Sequence, residues 1–407
     1  MVGLADWQSL SAMQRNTIIA SFLGWTLDAF DFFLLVFVLP EVAQTFNVGV
    51  KEISIALTLT LAMRPLGAFI FGRLADRFGR RLILMIDILL FSAFEVASAF
   101  APNLAIFLLF RALFGIAMGG EWGAGASLAM ESIPDKMRGL VSGILQSGYP
   151  CGYFLGALAY GIFFNWIGWR GLFVLGALPA LLVWYIRRHV PESPLWIAAK
   201  QNGHHVPIFV ILRQNWRRFL YMVLLMTAFT MFSHGSQDIY PTFLKLERSL
   251  QSHEISILVM IMNVGAIIGS LLFGITSEKI GRRYSIMIAA LLSLGALPFW
   301  AYGHSLSTLI LGAFLMQVMV QGAWGVVPAY LNELSPKNAR ATLPGFSYQL
   351  GNLLSSITPY WQTMLAQGHG FAFSLSLWMG IVAIVLLVLA FMGPEARRIS
   401  FLDEPMH

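Results

Sequence analysis

Residues 72–81 read Gly-Arg-Leu-Ala-Asp-Arg-Phe-Gly-Arg-Arg, a short basic segment between two long apolar runs. The pattern returns 202 residues later, where residues 274–283 read Gly-Ile-Thr-Ser-Glu-Lys-Ile-Gly-Arg-Arg. Both segments share the spacing Gly-x-x-x-acid-base-x-Gly-Arg-Arg. A repeat offset of half the chain length indicates two similar halves joined in the middle.

The spacing within this repeated segment has a physical basis. Its glycines allow two helices to turn and pack closely. Its acid can accept the N-terminus of a neighbouring helix or a basic partner, and its arginines suit an anionic lipid interface. We therefore expect a tight loop between two closely packed helices, and the gate or loop positions concerned are Gly72, Asp76, Arg80, Gly274, Glu278 and Arg282.

The composition predicts a polytopic membrane protein. The chain has 407 residues, of which 57% are hydrophobic and 11% are charged, whereas soluble proteins carry about 25% charged residues. The apolar runs are about 20 residues long without strict alternation, which favours membrane-spanning helices over a barrel. The single cysteine, Cys151, excludes an internal disulfide. The fold class we predict is an all-α membrane protein.

We predict twelve transmembrane helices in two six-helix halves. The N-terminal half comprises residues 1–186, the linker residues 187–217, and the C-terminal half residues 218–407. The linker is expected to be amphipathic and partly helical, and His204-His205 within it to be a solvated loop rather than a metal site. The predicted spans are 16–39, 53–72, 82–101, 104–130, 139–164, 169–186, 218–243, 254–275, 284–303, 307–332, 341–366 and 371–392.

The basic residues predict the orientation. If both termini are cytoplasmic, 20 of the 26 lysines and arginines fall in cytoplasmic segments, and Arg398 is one of them. The opposite side holds only Lys51, Arg170, Lys245 and Arg248. This asymmetry is typical of a multi-pass protein of the cell (inner) membrane. The net charge of +6 is therefore an orientation signal, and we expect no nucleic-acid partner.

The two halves also match beyond the repeated loop. Trp122, Glu131, Pro134, Arg138 and Gly143 correspond to Trp324, Glu333, Pro336, Arg340 and Gly345 at the same offset. Parallel repeats place a substrate cavity between the halves near mid-membrane. We interpret Glu131, Arg138 and their twins Glu333 and Arg340 as gate or loop latches.

The doubled loop resembles the signature loop of the major facilitator superfamily of secondary transporters. Arg111 and Gly115 form an Arg-x-x-x-Gly pattern that resembles a second superfamily motif, associated with proton coupling. The resemblance implies the major facilitator fold, with alternating access to one central site.

Ionisable residues inside apolar spans are costly and are therefore functional candidates. Asp28 and Asp31 lie three residues apart, on one helix face, and their repulsion favours a proton on at least one of them. We expect one of the two to pair with Arg111, while at least one has a proton-linked role. Glu121 is a further protonatable candidate.

Arg64 is a fixed positive charge in the second span and needs a counter-ion. One interpretation is a docking site for a substrate carboxylate in bidentate geometry. The other is a permanent salt bridge to Asp28, Asp31 or Glu121. The two can alternate during transport.

The seventh predicted span contains residues 233–242, Ser-His-Gly-Ser-Gln-Asp-Ile-Tyr-Pro-Thr. On a helix, Thr230, His234, Gln237 and Asp238 form a polar stripe that must face a cavity or other polar groups. The stretch resembles the seventh-span signature of the fungal lactate/pyruvate–proton symporters, although Thr230 stands where the family has Asn. The resemblance implies substrate and proton handling by His234 and Asp238; the alternative is a patch that joins spans.

Further polar residues are candidate ligands. Gln349 and Asn352 share a helix face and resemble a Gln-x-x-Asn pattern of the same permeases, which implies substrate recognition; an interhelical amide contact is the alternative. Gln321 and Tyr149 are expected to line the cavity. We assign Trp324 to packing, because its twin Trp122 has the same place.

These patterns predict a proton-coupled symporter of a small organic anion, most like a lactate or pyruvate carrier. A sialic acid–proton symporter of the same branch is an alternative, since Leu-Asp-Ala-Phe-Asp-Phe at residues 27–32 resembles those carriers. A carrier of aromatic acids or sugars is another. The expected partners are the anion, the proton and the lipid bilayer, and we expect a functional monomer.

Other classes of protein have less support. A sensor would need a soluble output domain, and a channel would show no saturation or proton stoichiometry. A membrane enzyme would need a nucleophile–base pair or a metal cluster, and the sequence offers neither. Without a phosphate-binding loop, ATP is not the expected energy source. We therefore expect no catalytic residue, no cofactor and no metal.

Overall fold

The fold is taken from a computed structural model that describes residues 4–49, 53, 55–201, 208–397, 399 and 401. All regular structure in these residues is helical, which confirms the predicted all-α class. Four residues that the sequence analysis used, Lys51, His204, His205 and Arg398, lie outside the described residues.

In the described part of the chain, seven α-helices begin before the predicted linker. Two glycines, Gly79 and Gly281, separate consecutive helices at the ends of the repeated loops and have φ values of 117° and 105°, a backbone conformation that side chains with a Cβ disfavour. The first seven helices are α1 (Leu4–Ser9), α2 (Ala12–Thr45), α3 (Ile55–Phe78), α4 (Arg80–Ala99), α5 (Leu104–Ser132), α6 (Arg138–Leu175) and α7 (Pro179–His189).

Eleven further α-helices follow, two of them inside the predicted linker. Those two are α8 (Pro194–Gln201) and α9 (Ile208–Gln214). The others are α10 (Trp216–Gln237), α11 (Tyr240–Leu246), α12 (Ser252–Ile280), α13 (Arg282–Tyr302), α14 (Leu306–Trp324), α15 (Val327–Leu334), α16 (Thr342–Ser355), α17 (Thr358–His369) and α18 (Phe371–Met392). The division of the chain at residues 187–217 stays a prediction.

The described residues contain ten helical stretches that are long and apolar enough to cross a membrane. The predicted fifth and sixth spans fall in one such stretch, Asp135–His189, which turns at Gly168 with φ 62°. The predicted eleventh span is divided between α16 and α17, each too short to be counted alone. These two differences account for the ten stretches against twelve predicted spans.

Among the described residues, four predicted spans contain a break between two α-helices. The sixth span breaks between Leu175 and Pro179, and the tenth between Trp324 and Val327. The helix of the seventh span ends at Gln237, and α11 begins after Asp238 and Ile239, with Pro241 in its first turn. The eleventh span breaks before Thr358, where Pro359 lies in the first turn of α17. Broken helices are tolerated in membranes where the freed backbone lines a cavity.

The two halves pack closely near the repeated loops. We call this end of the bundle the loop face. A Cβ added at Gly139 would lie 2.3 Å from the carbonyl oxygen of Gly274, and one added at Gly72 would lie 2.8 Å from the Cα of Thr342. Backbone therefore meets backbone across the halves, as small residues permit in membrane helix packing.

Candidate functional site

The acid of each repeated loop accepts hydrogen bonds from a helix of the opposite half. Asp76 accepts the backbone N–H groups of Ala341 and Thr342 at 3.1 and 3.0 Å, at the start of α16. Glu278 accepts the N–H of Gly139 at 2.6 Å, at the start of α6. A carboxylate at a helix N-terminus satisfies N–H groups that lack helical partners and is favoured by the helix dipole.

Buried ion pairs extend this contact. Arg80 lies 3.2 Å from Glu131, and its twin Arg282 lies 2.8 Å from Glu333. Each glutamate also faces an arginine of the other half: Arg340 is 3.8 Å from Glu131.

The remaining pair in this network joins Arg138 to Glu333 at 3.9 Å. Burial lowers the pKa of Arg340 to about 10, against the opposing effect of Glu131, so Arg340 stays charged at neutral pH. The ten positions expected to act as gate or loop residues thus meet at one interface. Their role in gating stays a prediction.

Two glutamates that the sequence analysis missed complete the loop face. Glu192 accepts the backbone N–H of Arg80 at 3.0 Å, and Glu395 accepts the N–H of Arg282 at 2.9 Å. A sequence signal existed, because each glutamate follows a proline near the end of its half.

A cavity of about 410 Å³ lies between the two halves. Its described lining includes polar side chains from α3, α6, α10, α14 and α16. The predicted ligands among them are Arg64, Tyr149, His234, Gln237, Asp238 and Gln321, together with Asn352; the remaining lining residues are Phe32, Thr58, Leu61, Ala62, Gln146, Thr230, Ser233, Trp324, Tyr348, Leu353, Ser355, Ser356 and Pro359.

Arg64 is the buried cation of this cavity. Its guanidinium lies 3.3 Å from Asp28, and its side chain is 5% exposed. The Nε of Arg64 and the second carboxylate oxygen of Asp28 have no hydrogen-bond partner among the described residues. The ion pair is therefore present but incomplete, which leaves donors for an additional anion.

The C-terminal half contributes an imidazole–carboxylate pair. The Nδ1 of His234 lies 3.0 Å from Asp238, and about a third of each side chain is exposed. The amide of Asn352 lies beside His234 and donates to Gln349 at 3.0 Å. Gln349 is buried and is not among the described lining residues, so it positions Asn352 instead of facing the cavity.

The polar stripe of α10 makes further contacts around Ser233. The hydroxyl of Ser233 accepts the amide N–H groups of Gln237 at 2.9 Å and Gln321 at 3.2 Å. Thr230 donates to the carbonyl of Gly351 at 3.0 Å. The stripe therefore both lines the cavity and joins α10 to neighbouring helices.

An aromatic layer separates the cavity from the loop face. Tyr348 packs against Trp122 and Trp324, with ring centroids 5.0 and 5.4 Å apart, and Trp25 stacks on Tyr149 at 5.7 Å. Trp324 thus packs as expected, and it also contributes to the cavity lining. Its twin Trp122 meets the same Tyr348, because the two residues lie on either side of the axis that relates the halves.

The cavity opens away from the loop face. Its buried members, such as Arg64 and Thr230, lie near the aromatic layer, whereas Leu61, Asp238 and Ser356 are exposed at the other end. The structure therefore has one closed end, at the loop face, and one open end.

Arg111 does not pair with Asp28 or Asp31, which corrects the expectation from the sequence. Its guanidinium pairs with Glu95 and donates to Ser98 at 3.2 Å. Glu95 lies on α4, facing α5, and the sequence analysis did not consider it. An acid in an apolar run was the available signal.

Three buried carboxyls lack hydrogen-bond partners among the described residues: Asp31, Asp87 and Glu121. All three are fully buried, and none is among the described cavity-lining residues. Asp87, like Glu95, is an acid within an apolar run that the sequence analysis missed. Asp28 and Asp31 share a helix, but Asp28 faces Arg64 while Asp31 lies near Glu95 and the position of Gly176.

Comparisons with known proteins agree with this architecture. Residues 21–240 match the model of the Major Facilitator Superfamily, and residues 218–401 match that of the Sugar (and other) transporter family. The carboxylic acid transporter protein homolog of Saccharomyces cerevisiae is 30% identical over 90% of this chain, which spans 64% of that protein's length.

The sialic acid transporter NanX of Escherichia coli is 28% identical, with 96% of each chain covered. The solved structure of the proton:xylose symporter XylE has a TM-score of 0.75 at 18% identity, covering 95% of this chain and 97% of that one; at this identity the likeness concerns the fold alone. Because a family model covers more than half of the chain, the protein is a multi-pass transporter of the major facilitator superfamily.

Proposed function

We propose that this protein is a proton-coupled symporter of a small organic anion, a monocarboxylate such as lactate or pyruvate. The observation that carries the proposal is the shared cavity, which joins Arg64 of one half to His234 and Asp238 of the other. Similarity to a carboxylic acid transporter homolog and to a sialic acid transporter supports an acidic substrate.

Arg64 and Asp28 supply the coupling in this mechanism. As a carboxylate, Asp28 occupies one side of the guanidinium at 3.3 Å. A proton on Asp28 removes that competitor, and Arg64 then binds the substrate carboxylate in bidentate geometry. Proton and anion thus bind together, because each makes the other's binding more favourable.

The C-terminal half completes the site. His234 and Asn352 offer hydrogen bonds to the anion, and Asp238 holds or releases a proton beside the imidazole. The loaded site then carries no added net charge, and a carrier without added charge crosses between its two states at lower electrostatic cost. The aromatic layer and the loop face open as the other end closes.

The topology belongs to the same proposal. We place both termini and the loop face on the cytoplasmic side of the cell (inner) membrane, so the open end of the cavity faces outward. The ten loop and latch residues act as the cytoplasmic gate. Each monomer transports independently, without a cofactor.

Uptake by purified protein in liposomes tests the proposal. An inward proton gradient should drive accumulation of labelled lactate, and Asp238→Asn should abolish the gradient-driven part. Intact gradient-driven uptake in Asp238→Asn would contradict the role of Asp238. Arg170→Gln, which changes an arginine bound to the Ala99 carbonyl far from the cavity, is the matched surface control.

Binding to detergent-purified protein tests Arg64 separately. Arg64→Gln should weaken lactate binding by about 10- to 100-fold, because charge-assisted hydrogen bonds contribute about 1.5–3 kcal/mol each. Arg64→Lys keeps the positive charge but loses the planar guanidinium that binds a carboxylate in bidentate geometry, and it should bind lactate with intermediate affinity. Unchanged affinity in Arg64→Gln would exclude it as the anion ligand.

Sialic acid is the second candidate substrate, favoured by the similarity to NanX over nearly the whole chain. A volume of about 410 Å³ lies within the range of small-molecule sites and does not separate the two acids. Counterflow of labelled lactate against unlabelled lactate, pyruvate, sialic acid, an aromatic acid and a sugar ranks them. If sialic acid were the one compound of this panel that competed, it would replace the monocarboxylate as the proposed substrate.

A further inference from the structure

The N-terminal half contains an excess of buried acid. Within the described transmembrane helices of this half, and apart from the ion pairs of the loop face, five carboxyls are fully buried against two buried guanidiniums. Arg64 forms an ion pair with Asp28, and Arg111 forms one with Glu95. The acids left without an ion-pair or hydrogen-bond partner in the described residues are Asp31, Asp87 and Glu121.

An ionised carboxylate without partners in such an interior is strongly disfavoured. The Asp87 carboxyl and the Phe71 side chain both lie against Gly120. The helix that carries Asp87 contributes Ile83 and Leu84 to the apolar cluster that contains Phe71. Helix α7 adds Leu182 and Ile186 to the same cluster. These surroundings favour the protonated, neutral form of Asp87, and its carboxyl is not among the described residues that line the cavity.

Asp87 is connected to the cavity by close helix contacts. A Cβ at Gly120 would lie 2.6 Å from the Asp87 carboxyl, so this carboxyl touches α5 beside Glu121. A Cβ at Gly24 would lie 2.4 Å from the Glu121 carboxyl, so Glu121 touches α2 one turn before Asp28. Glycines at these two points leave room for the carboxyls.

The three acids descend from the cavity toward the loop face. A helix rises about 1.5 Å per residue. Asp28 is therefore about 24 Å along α2 from its loop-face end. Glu121 is about 16 Å along α5 from its loop-face end, and Asp87 is about 10 Å along α4 from its loop-face end. The ionisable groups near Asp87 are Glu121 and Asp28. Those near Glu121 are Asp28 and Arg64.

We propose that Asp87 is the inner station of a proton route from Asp28 through Glu121 to the loop face. This inference rests on the proposed proton-coupled transport. The proton of Asp28 passes to Glu121 as the proton of Glu121 passes to Asp87, and the proton of Asp87 leaves at the loop face. Glu121 and Asp87 end protonated as they began, and Asp28 returns to its carboxylate and to Arg64. The proton thus leaves by a path separate from that of the anion.

Asp87→Asn tests the proposal, because the amide has the shape of the protonated carboxyl and cannot pass a proton on. Counterflow of lactate at equal pH needs no net proton transfer and should stay within about twofold of wild type. Accumulation driven by a pH gradient should fall at least about tenfold, since positioned proton transfer contributes about 10²- to 10⁴-fold. Glu121→Gln should show the same split and carries the test if Asp87→Asn does not fold.

Ser92→Ala is the matched control, since Ser92 is buried on α4 and its hydroxyl also lacks a partner among the described residues. It should leave both kinds of transport unchanged. Gradient-driven accumulation at the wild-type level in Asp87→Asn would overturn the route, as would equal loss of both kinds of transport. If wild type itself shows no gradient-driven uptake, the proposed function fails instead.

Discussion

At the residue scale, the structure pairs Arg111 with an acid that sequence spacing did not suggest, whereas Arg64 pairs with one of its three expected partners. Helical spacing puts Asp28 and Asp31 on one face, yet a turn of the helix separates their surroundings. Arg64 takes Asp28, and Arg111 takes Glu95 from α4. Asp31 is left with no hydrogen-bond partner among the described residues, and burial without a partner favours its neutral form.

This assignment predicts unequal effects of two isosteric substitutions. Glu95→Gln leaves the buried guanidinium of Arg111 uncompensated and should lower the free energy of unfolding by about 3–5 kcal/mol. Asp31→Asn replaces a group that is already neutral and should cost less than about 1 kcal/mol. Denaturant titration of both variants in detergent provides the measurement, and a larger loss in Asp31→Asn would restore the sequence-based pairing.

At the element scale, the loop face closes because helices of opposite halves meet backbone to backbone. Helices α6 and α12 approach at Gly139 and Gly274, and α3 approaches α16 at Gly72. Asp76 and Glu278 then reach the N-termini of α16 and α6. Both contacts need an approach that a side chain at these glycines would prevent.

Gly139→Ala should therefore weaken closure at the loop face. The added methyl would lie 2.3 Å from the carbonyl of Gly274, which cannot move without its helix. We expect slower uptake and greater reactivity of a cysteine placed at Ser142 toward a thiol reagent added from the loop face. Gly295→Ala is the matched control, because nothing lies within 4 Å of its Cβ position. Equal rates in the two variants would show that close approach is not required.

At the scale of the whole molecule, the two halves form a cavity that is open at one end and closed at the other by the aromatic layer and the loop face. Ser356, which directly follows α16, is exposed at the open end of the cavity. Ser347 is buried within α16, nearer the loop face. The direction of access is thus a property of the assembled halves and of neither half alone.

Cysteine labelling checks this direction of access. In a Cys151→Ser background, Ser356→Cys should react with a membrane-impermeant thiol reagent added from the side opposite the loop face, and bound substrate should protect it. Ser347→Cys should stay unmodified from that side. Faster labelling of Ser347→Cys than of Ser356→Cys would mean that the open end has been assigned to the wrong face.

The sequence by itself determined the class of fold, the twofold repeat and the charged residues of the cavity lining. Apolar length, the loops at residues 72–81 and 274–283, and the polar stripe of α10 are local features, and lipid leaves a helix few alternatives. These features predict which residues are costly to bury. They do not predict which buried groups meet.

The tertiary structure alone decided the pairings and the direction of access. Arg111 lies close to Glu95 only because α4 packs against α5. Gln349 accepts a hydrogen bond from the Asn352 amide and is not among the described cavity-lining residues. The Asp87 carboxyl lies against Gly120 of α5, a contact that the pattern along α4 does not indicate. Electrostatic partners depend on distances between helices, and periodicity along one helix carries no information about those distances.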